Sequence, residues 1–209
     1  MQRIVAIIIT LSLTGTAMAY EEPEFRVISE HEEYEIRAYA PYLVAETVVE
    51  GDYGDSGSRG FRILAGYIFG DNKAAEKMAM TAPVTREPVD ESVKMNMTVP
   101  VIAERSAEAG RYRYQFVMER KYTRETLPVP VDERVTIREV PARTMAVHRY
   151  SGRWTAANFE KHLEILLLAL ERDGVEVTGT PQSAAYNNPF TPPFLRRNEV
   201  LVEVELPNR

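Results

Sequence analysis

The chain has 209 residues, no cysteine and a formal net charge of −6 at pH 7. That length suits one domain with a substantial core, and the missing cysteines exclude a disulfide framework and a thiol nucleophile. An acidic chain has no bulk attraction for phosphate backbones or anionic lipid surfaces, so nucleic acid is not an expected partner.

Residues 1–19 read as a cleaved signal peptide: Arg3 is the positive end, Ile4 to Leu13 the apolar core, and Ala17-Met18-Ala19 the cleavage site. The apolar run is too short to span a bilayer and no later stretch replaces it, so no integral membrane segment is expected. No cysteine follows the cleavage site, which argues against an acylated lipoprotein. The mature chain is expected to begin near Tyr20, to be periplasmic or secreted, and to form a single domain over residues 20–209. Loss of Arg3 leaves 24 basic against 31 acidic residues, a net charge of −7.

From Tyr34 to Val49 the pattern alternates. Tyr34, Ile36 and Ala38 share one face, and after the turn at Ala40-Pro41 so do Leu43, Ala45, Thr47 and Val49. Two strands are predicted. Gly51, Gly54, Gly57 and Ser58 form a loop into a first helix over Gly60–Phe69, with Ser56 or Ser58 as its cap. On a wheel at ~100° per residue, Phe61, Leu64, Ala65, Ile68 and Phe69 share a side that Ile63 and Tyr67 extend. The apolar arc is roughly 240°, against a little over ~100° for docking on one sheet. Arg59, Arg62 and Gly66 hold the rest. Such a helix is either buried on two sides or keeps one side for an apolar ligand.

Beyond the breaker at Gly70-Asp71-Asn72, the methionines of the run Met78–Val84 are expected to pack as core beneath the helix. A polar turn near Pro88–Asp90 precedes a predicted strand over Lys94–Val99. Tyr112, Tyr114, Phe116 and Met118 alternate with Arg113 and Gln115 in the clearest strand of the chain. Leu127–Asp132, with two prolines, is an extended linker.

The part of the chain after the linker repeats the part before it. Ile137-Arg138 matches Ile36-Arg37, Met145-Ala146 matches Val44-Ala45, and Gly152 matches Gly51, all at one constant offset. A second helix is predicted from Thr155 to Arg172, with Thr155 as N-cap, Trp154 and Phe159 as a hydrophobic staple, and Gly174 as its stop. Its apolar face (Phe159, Leu163, Leu166, Leu167, Leu170) is of ordinary width. Glu199–Leu206 is read as the counterpart of Lys94–Val101. The expected fold is α+β: a twisted antiparallel β-barrel of two pseudo-repeats flanked by two α-helices.

Catalytic signatures are sparse, with no glycine-rich phosphate loop and no paired-histidine metal motif. His31, among Glu30, Glu32 and Glu33, is read as a solvated residue, and His148 and His162 as hydrogen-bonded structural residues. No catalytic or metal-ligating residues are assigned. Glu46 and Glu199 lie beside apolar strand runs, where a pocket carboxylate could serve as a base; for Glu199, pairing with Arg196 or Arg197 is the favoured role.

The most specific stretch is Tyr186 to Val200, in which three prolines, projecting aromatics and Arg196-Arg197-Asn198-Glu199 lead into the last strand. Together with Tyr34-Glu35-Ile36-Arg37, Tyr67-Ile68 and Gly70, and Met80-Thr81-Ala82-Pro83-Val84-Thr85, it resembles the SOUL haem-binding family over most of the mature chain. The resemblance implies a twisted barrel of two pseudo-repeats and a shallow apolar site for haem or another tetrapyrrole on the first helix. That site would use Phe61, Leu64, Ala65 and Ile68, with the loop near Phe194. Two positions depart from the family pattern: Ala38 stands where some members carry a histidine proposed to ligate iron, and Pro192 where some carry a basic residue near the Arg-Arg-Asn-Glu run.

Physics supports contact binding without an iron ligand. Each apolar side chain buried against a haem plate contributes ~1.5–3 kcal/mol, and Arg59 and Arg62 could each add about 1.5–3 kcal/mol as partners for its two carboxylates. The favoured reading is a non-enzymatic, exported binder of haem or a related tetrapyrrole (a carrier, buffer or scavenger). The alternative is a hydrolase, or a binder of other amphipathic small molecules, on the related barrel of drug-responsive regulators.

Overall fold

Period-two alternation sorts the strand side chains into two faces, and the two faces meet different surroundings. The structure, a computed structural model, describes residues 21–74, 92–106 and 110–206. The leader-like residues 1–19, the Met78–Val84 run and the turn near Pro88 therefore lie outside the described residues. In chain order the elements are β1 (Phe25–Glu30), β2 (Glu35–Tyr39), β3 (Tyr42–Glu50), α1 (Tyr53–Phe69), β4 (Asn72–Lys73), β5 (Val101–Arg105) and β6 (Arg111–Val117). After these come β7 (Val129–Pro130), β8 (Thr136–Val140), β9 (Arg143–Tyr150), α2 (Ala156–Asp173), β10 (Glu176–Val177), β11 (Gln182–Ala185) and β12 (Asn198–Glu205).

Nine strands run antiparallel in the order β1-β2-β9-β12-β11-β5-β6-β3-β8, with β10 on β12 and a separate β4–β7 ribbon. The sheet is a curled half-barrel ending in edges at β1 and β8. Without β1 the order is symmetric about the β11–β5 pair, so β2 answers β8, β9 answers β3, α2 answers α1 and β12 answers β6. The predicted duplication is thus real in the topology, and Gly51 and Gly152 share positive φ values of 126° and 120° at the same corner.

One part of the predicted correspondence is corrected. The counterpart of β12 is β6, and Lys94–Val99 is not a strand. The Met95 amide bonds to the Ile68 carbonyl at the end of α1 (2.9 Å), and the Met95 side chain is buried against that helix. Its methionine pattern records a cover for α1, not a sheet face.

Both helices dock on the same side of the sheet, α1 over β3 and β6 and α2 over β9 and β12. Helix α2 follows its prediction closely: the Thr155 hydroxyl accepts from the Asn158 amide, and Gly174 closes it in the left-handed conformation. Helix α1 begins a full two turns before the predicted start. Its N-cap is Asp52, whose carboxylate accepts from the Gly54 and Asp55 amides, so Ser56 and Ser58 lie within the helix. Two glycines and two serines made Tyr53–Arg59 look like a loop. Tertiary packing overrides that weak propensity. The Ser56 hydroxyl bonds to Tyr114 (2.7 Å), and Gly60 lies so close to the Tyr114 ring that a Cβ would stand 2.4 Å from it.

Candidate functional site

The residues predicted for a ligand surface on α1 do not share one. Leu64 and Ile68 are 0% and 2% exposed, within a cluster that also holds Tyr67, Met95, Tyr114, Phe116 and Leu127. Their expected place on a free side is therefore corrected. The sheet covers α1 below, and two segments cover its C-terminal half from the side. The Tyr67 hydroxyl donates to the Pro128 carbonyl (2.7 Å), and the Asn72 amide donates to the carbonyls of Tyr67 (2.6 Å) and Val93 (2.8 Å). Phe61 and Ala65 are half-buried, Phe61 packing edge-on to Phe116 at 5.4 Å. Phe194 is 75% exposed in a 3-10 turn (Pro193–Leu195), near the also exposed Phe190 and Leu195.

Arg59 and Arg62 sit on the opposite flank of α1, the one carrying Ile63. There they line a surface cavity of about 610 Å³ with Val48, Val49, Glu50 and Asp71 from the first half and Arg111, Asp132 and Arg134 from farther along. The size falls in the usual range for small-molecule sites, roughly 300–1,000 Å³. Four arginines against three carboxylates leave one excess positive charge. The Arg59 guanidinium donates to the Glu50 carbonyl, Arg62 to Ser58 (3.3 Å), and Arg134 grips Asp132 through two nitrogens at 2.9 and 2.6 Å. The apolar floor is Val48, Val49 and Ile63. Arg111 and Arg134 were not legible in the sequence, although Arg134 lies just beyond the proline linker.

The fit to a tetrapyrrole divides into plate, edge and metal. The cavity offers an apolar floor for a plate and guanidinium donors for edge carboxylates. For the iron, no group of three or more histidine, cysteine or acidic side chains is placed to hold a metal among the described residues. His148 and His162 bond to each other (Nε2 to Nδ1, 3.0 Å), and His148 also reaches the Glu33 carbonyl, so both are hydrogen-bonded as expected. His31 is exposed, as expected, and it stacks on Tyr34 at 4.3 Å and stands 3.5 Å from Asp173.

The sheet face turned away from the helices carries the two glutamates considered as bases. Glu199 is fully buried and takes bonds from Tyr186 (2.6 Å), Arg37 (3.1 Å) and Arg197 (3.0 Å). Burial, reinforced by the Glu199 charge, drives the Tyr186 hydroxyl well above the usual phenol range. Arg197 is the expected partner, while Arg196 instead donates to the Thr191 and Pro189 carbonyls and fixes the exposed loop. Glu46 lines a polar groove of about 340 Å³, but its carboxylate is taken by Arg138 (2.8 Å) and Gln115 (3.0 Å). Both carboxylates are held as anion partners.

An antiparallel half-barrel with two helices on one face is an architecture shared with several solved structures. The C-terminal domain of EcmrR aligns with a TM-score of 0.57 at 11% identity, covering 82% of this chain and 98% of that one. A hydrolase from Listeria innocua aligns at 0.53 and 12% identity, covering 85% and 94%. These likenesses establish the fold alone. No curated protein matches the sequence significantly. The profile of the SOUL heme-binding protein family matches residues 20–203, nearly the whole chain, and the chain belongs to that family.

Proposed function

We propose that the protein is an exported binder of haem or a related tetrapyrrole, serving as carrier, buffer or scavenger. The observation that carries this is the arginine-lined cavity on the outer flank of α1, in a chain whose family is described as haem-binding. A tetrapyrrole such as haem supplies a large apolar plate with two carboxylates on one edge. Ile63, Val48 and Val49 would floor the plate, and Arg59, Arg62 and Arg134 would meet the carboxylates. Phe61 and Ala65 lie on the other flank and Phe194 stands exposed in its own turn, whereas Leu64 and Ile68 support the site from inside. Export rests on the leader-like residues 1–19.

A hemin titration of the chain from Tyr20 onward tests the reading. Micromolar hemin is expected to shift the Soret band and quench Trp154, the one tryptophan. Arg59→Glu and Arg62→Glu should each weaken binding about tenfold or more, from the roughly 1.5–3 kcal/mol of a charge-assisted bond. Absence of a Soret shift sinks the proposal. Charge reversals that bind as well as wild type would overturn the arginine site, with Phe61→Ala abolishing binding pointing to the other flank and Phe194→Ala to the exposed turn. Fractionation of the expressing cells tests export separately.

A further inference from the structure

A second, smaller cavity lies between the two helices, away from the arginine site. The N-terminal turns of α1 and α2 straddle β5, β6 and β11 and enclose about 130 Å³ there. Three rings line it. Tyr53 meets Tyr112 edge-on at 5.7 Å and stacks on Phe159 at 6.2 Å, and Leu163, Ala103, Ala156 and Pro181 complete the apolar lining. The volume is close to the roughly 150 Å³ of an engineered apolar cavity that takes benzene.

A buried hydroxyl pair faces the rings. The Tyr53 and Ser183 hydroxyls lie 3.0 Å apart, and Ser183 is 1% exposed. Burial pushes the Tyr53 hydroxyl well above the ordinary phenol range, so it stays protonated and can donate. Ser183 also donates to the Ala103 carbonyl (3.4 Å), so what the pair still offers a ligand hydroxyl is lone pairs, an acceptor. Charge at the mouth is balanced. Arg105 faces Glu160 at 3.3 Å, and the Glu104 carboxylate is occupied by Arg113 (3.3 Å) and Gln182 (2.6 Å). An ion entering here would find no unmatched counter-charge, whereas a neutral ring would need none.

We infer that this interhelical cavity binds a neutral single-ring aromatic carrying one hydroxyl, a phenol-class ligand, with its ring among Tyr53, Tyr112 and Phe159 and its hydroxyl on the Tyr53–Ser183 pair. The Arg105–Glu160 pair crosses the mouth as an exposed gate, and exposed pairs of this kind open at little cost. The inference is independent of the tetrapyrrole reading, because none of these residues lines the arginine cavity.

The chain supplies its own reporter: Trp154 sits 5.9 Å from Tyr53. Phenol should produce a saturable change in Trp154 emission, excited on the red edge of its absorption, and shifts in the Tyr53 and Phe159 ring resonances, with a Kd on the order of 1 mM. That weakness reflects the few atoms a single ring brings. Leu163→Phe, or Ala156→Leu if the first does not fold, should abolish the response while hemin binding persists. Ser183→Ala should weaken phenol severalfold and leave toluene unchanged. No saturable response by either method at about 10 mM phenol, roughly ten times the expected Kd, would overturn the inference. So would a native-like Leu163→Phe that binds phenol as before, or a Ser183→Ala that weakens toluene equally.

Discussion

Helices α1 and α2 hold equivalent places in the two halves, yet they are buried in different ways. On α2, Leu166 and Leu170 meet the sheet while Leu167 and Leu168 remain 37% and 59% exposed. On α1 the corresponding depth is reached on two sides, because residues 92–98 and the proline linker close over Leu64, Tyr67 and Ile68. The excess apolar arc of α1 therefore counts the layers that cover it. The surface proposed to meet the ligand is instead the polar flank, where Arg59 and Arg62 border Ile63.

The largest test of that contrast is a charge on each helix. Ile68→Glu buries a carboxylate with no partner and should unfold the chain, seen as loss of the circular dichroism signal. Leu168→Glu should stay within about 0.5 kcal/mol of wild type. Next comes truncation. Leu64→Ala should cost about 2–5 kcal/mol in chemical denaturation, and Leu167→Ala well under that. Equal losses would erase the distinction.

Overpacking should come third. At Gly60 a methyl group would stand 2.4 Å from a Tyr114 ring that Ser56 holds by its hydroxyl, so Gly60→Ala should destabilise by about 1–3 kcal/mol despite alanine's better helix propensity. A stabilised variant would mean that α1 sits more loosely than its contacts indicate.

The smallest effect belongs to α2. Hydrogen bonds from Arg172 and Tyr34 hold Asp173 at about 2, below its ordinary 3.8. A depressed carboxylate stabilises the fold fully above its unfolded value, and that contribution is lost as the pH falls through about 2. Acid titration should therefore loosen the C-terminal end of α2 between about pH 4 and 2. Asp173→Asn should flatten stability in that window.

Local chemistry was readable in advance. Strands β2, β3 and β6 and the whole of α2 come from period and capping signals that lie within a few residues of one another. The pairing of the two halves also showed, because Ile36-Arg37 and Ile137-Arg138 recur with the same spacing to a glycine corner. Sequence could not reveal which strand each would pair with, nor that Met95 would cap a helix end. Half of the arginine cavity was hidden for the same reason: Arg111 and Arg134 join Arg59 only through the fold. Helix α1 misled because its wheel shows how much surface is apolar and not how many neighbours share it.

The strand order has a further consequence for how the molecule holds together. First-half β2 lies against second-half β9, with Glu35 opposite Val147, while second-half β8 returns to β3, with Tyr42 opposite Val140. Each half lends its opening strand to the other, as two copies of a shorter chain would in a swapped dimer. The halves are consequently not modules that can be exchanged or expressed one at a time. A cut in residues 119–128 would divide the partners of four strand pairings, β2–β9, β3–β8, β5–β11 and β4–β7, and the native structure of the two fragments returns only when they reassociate.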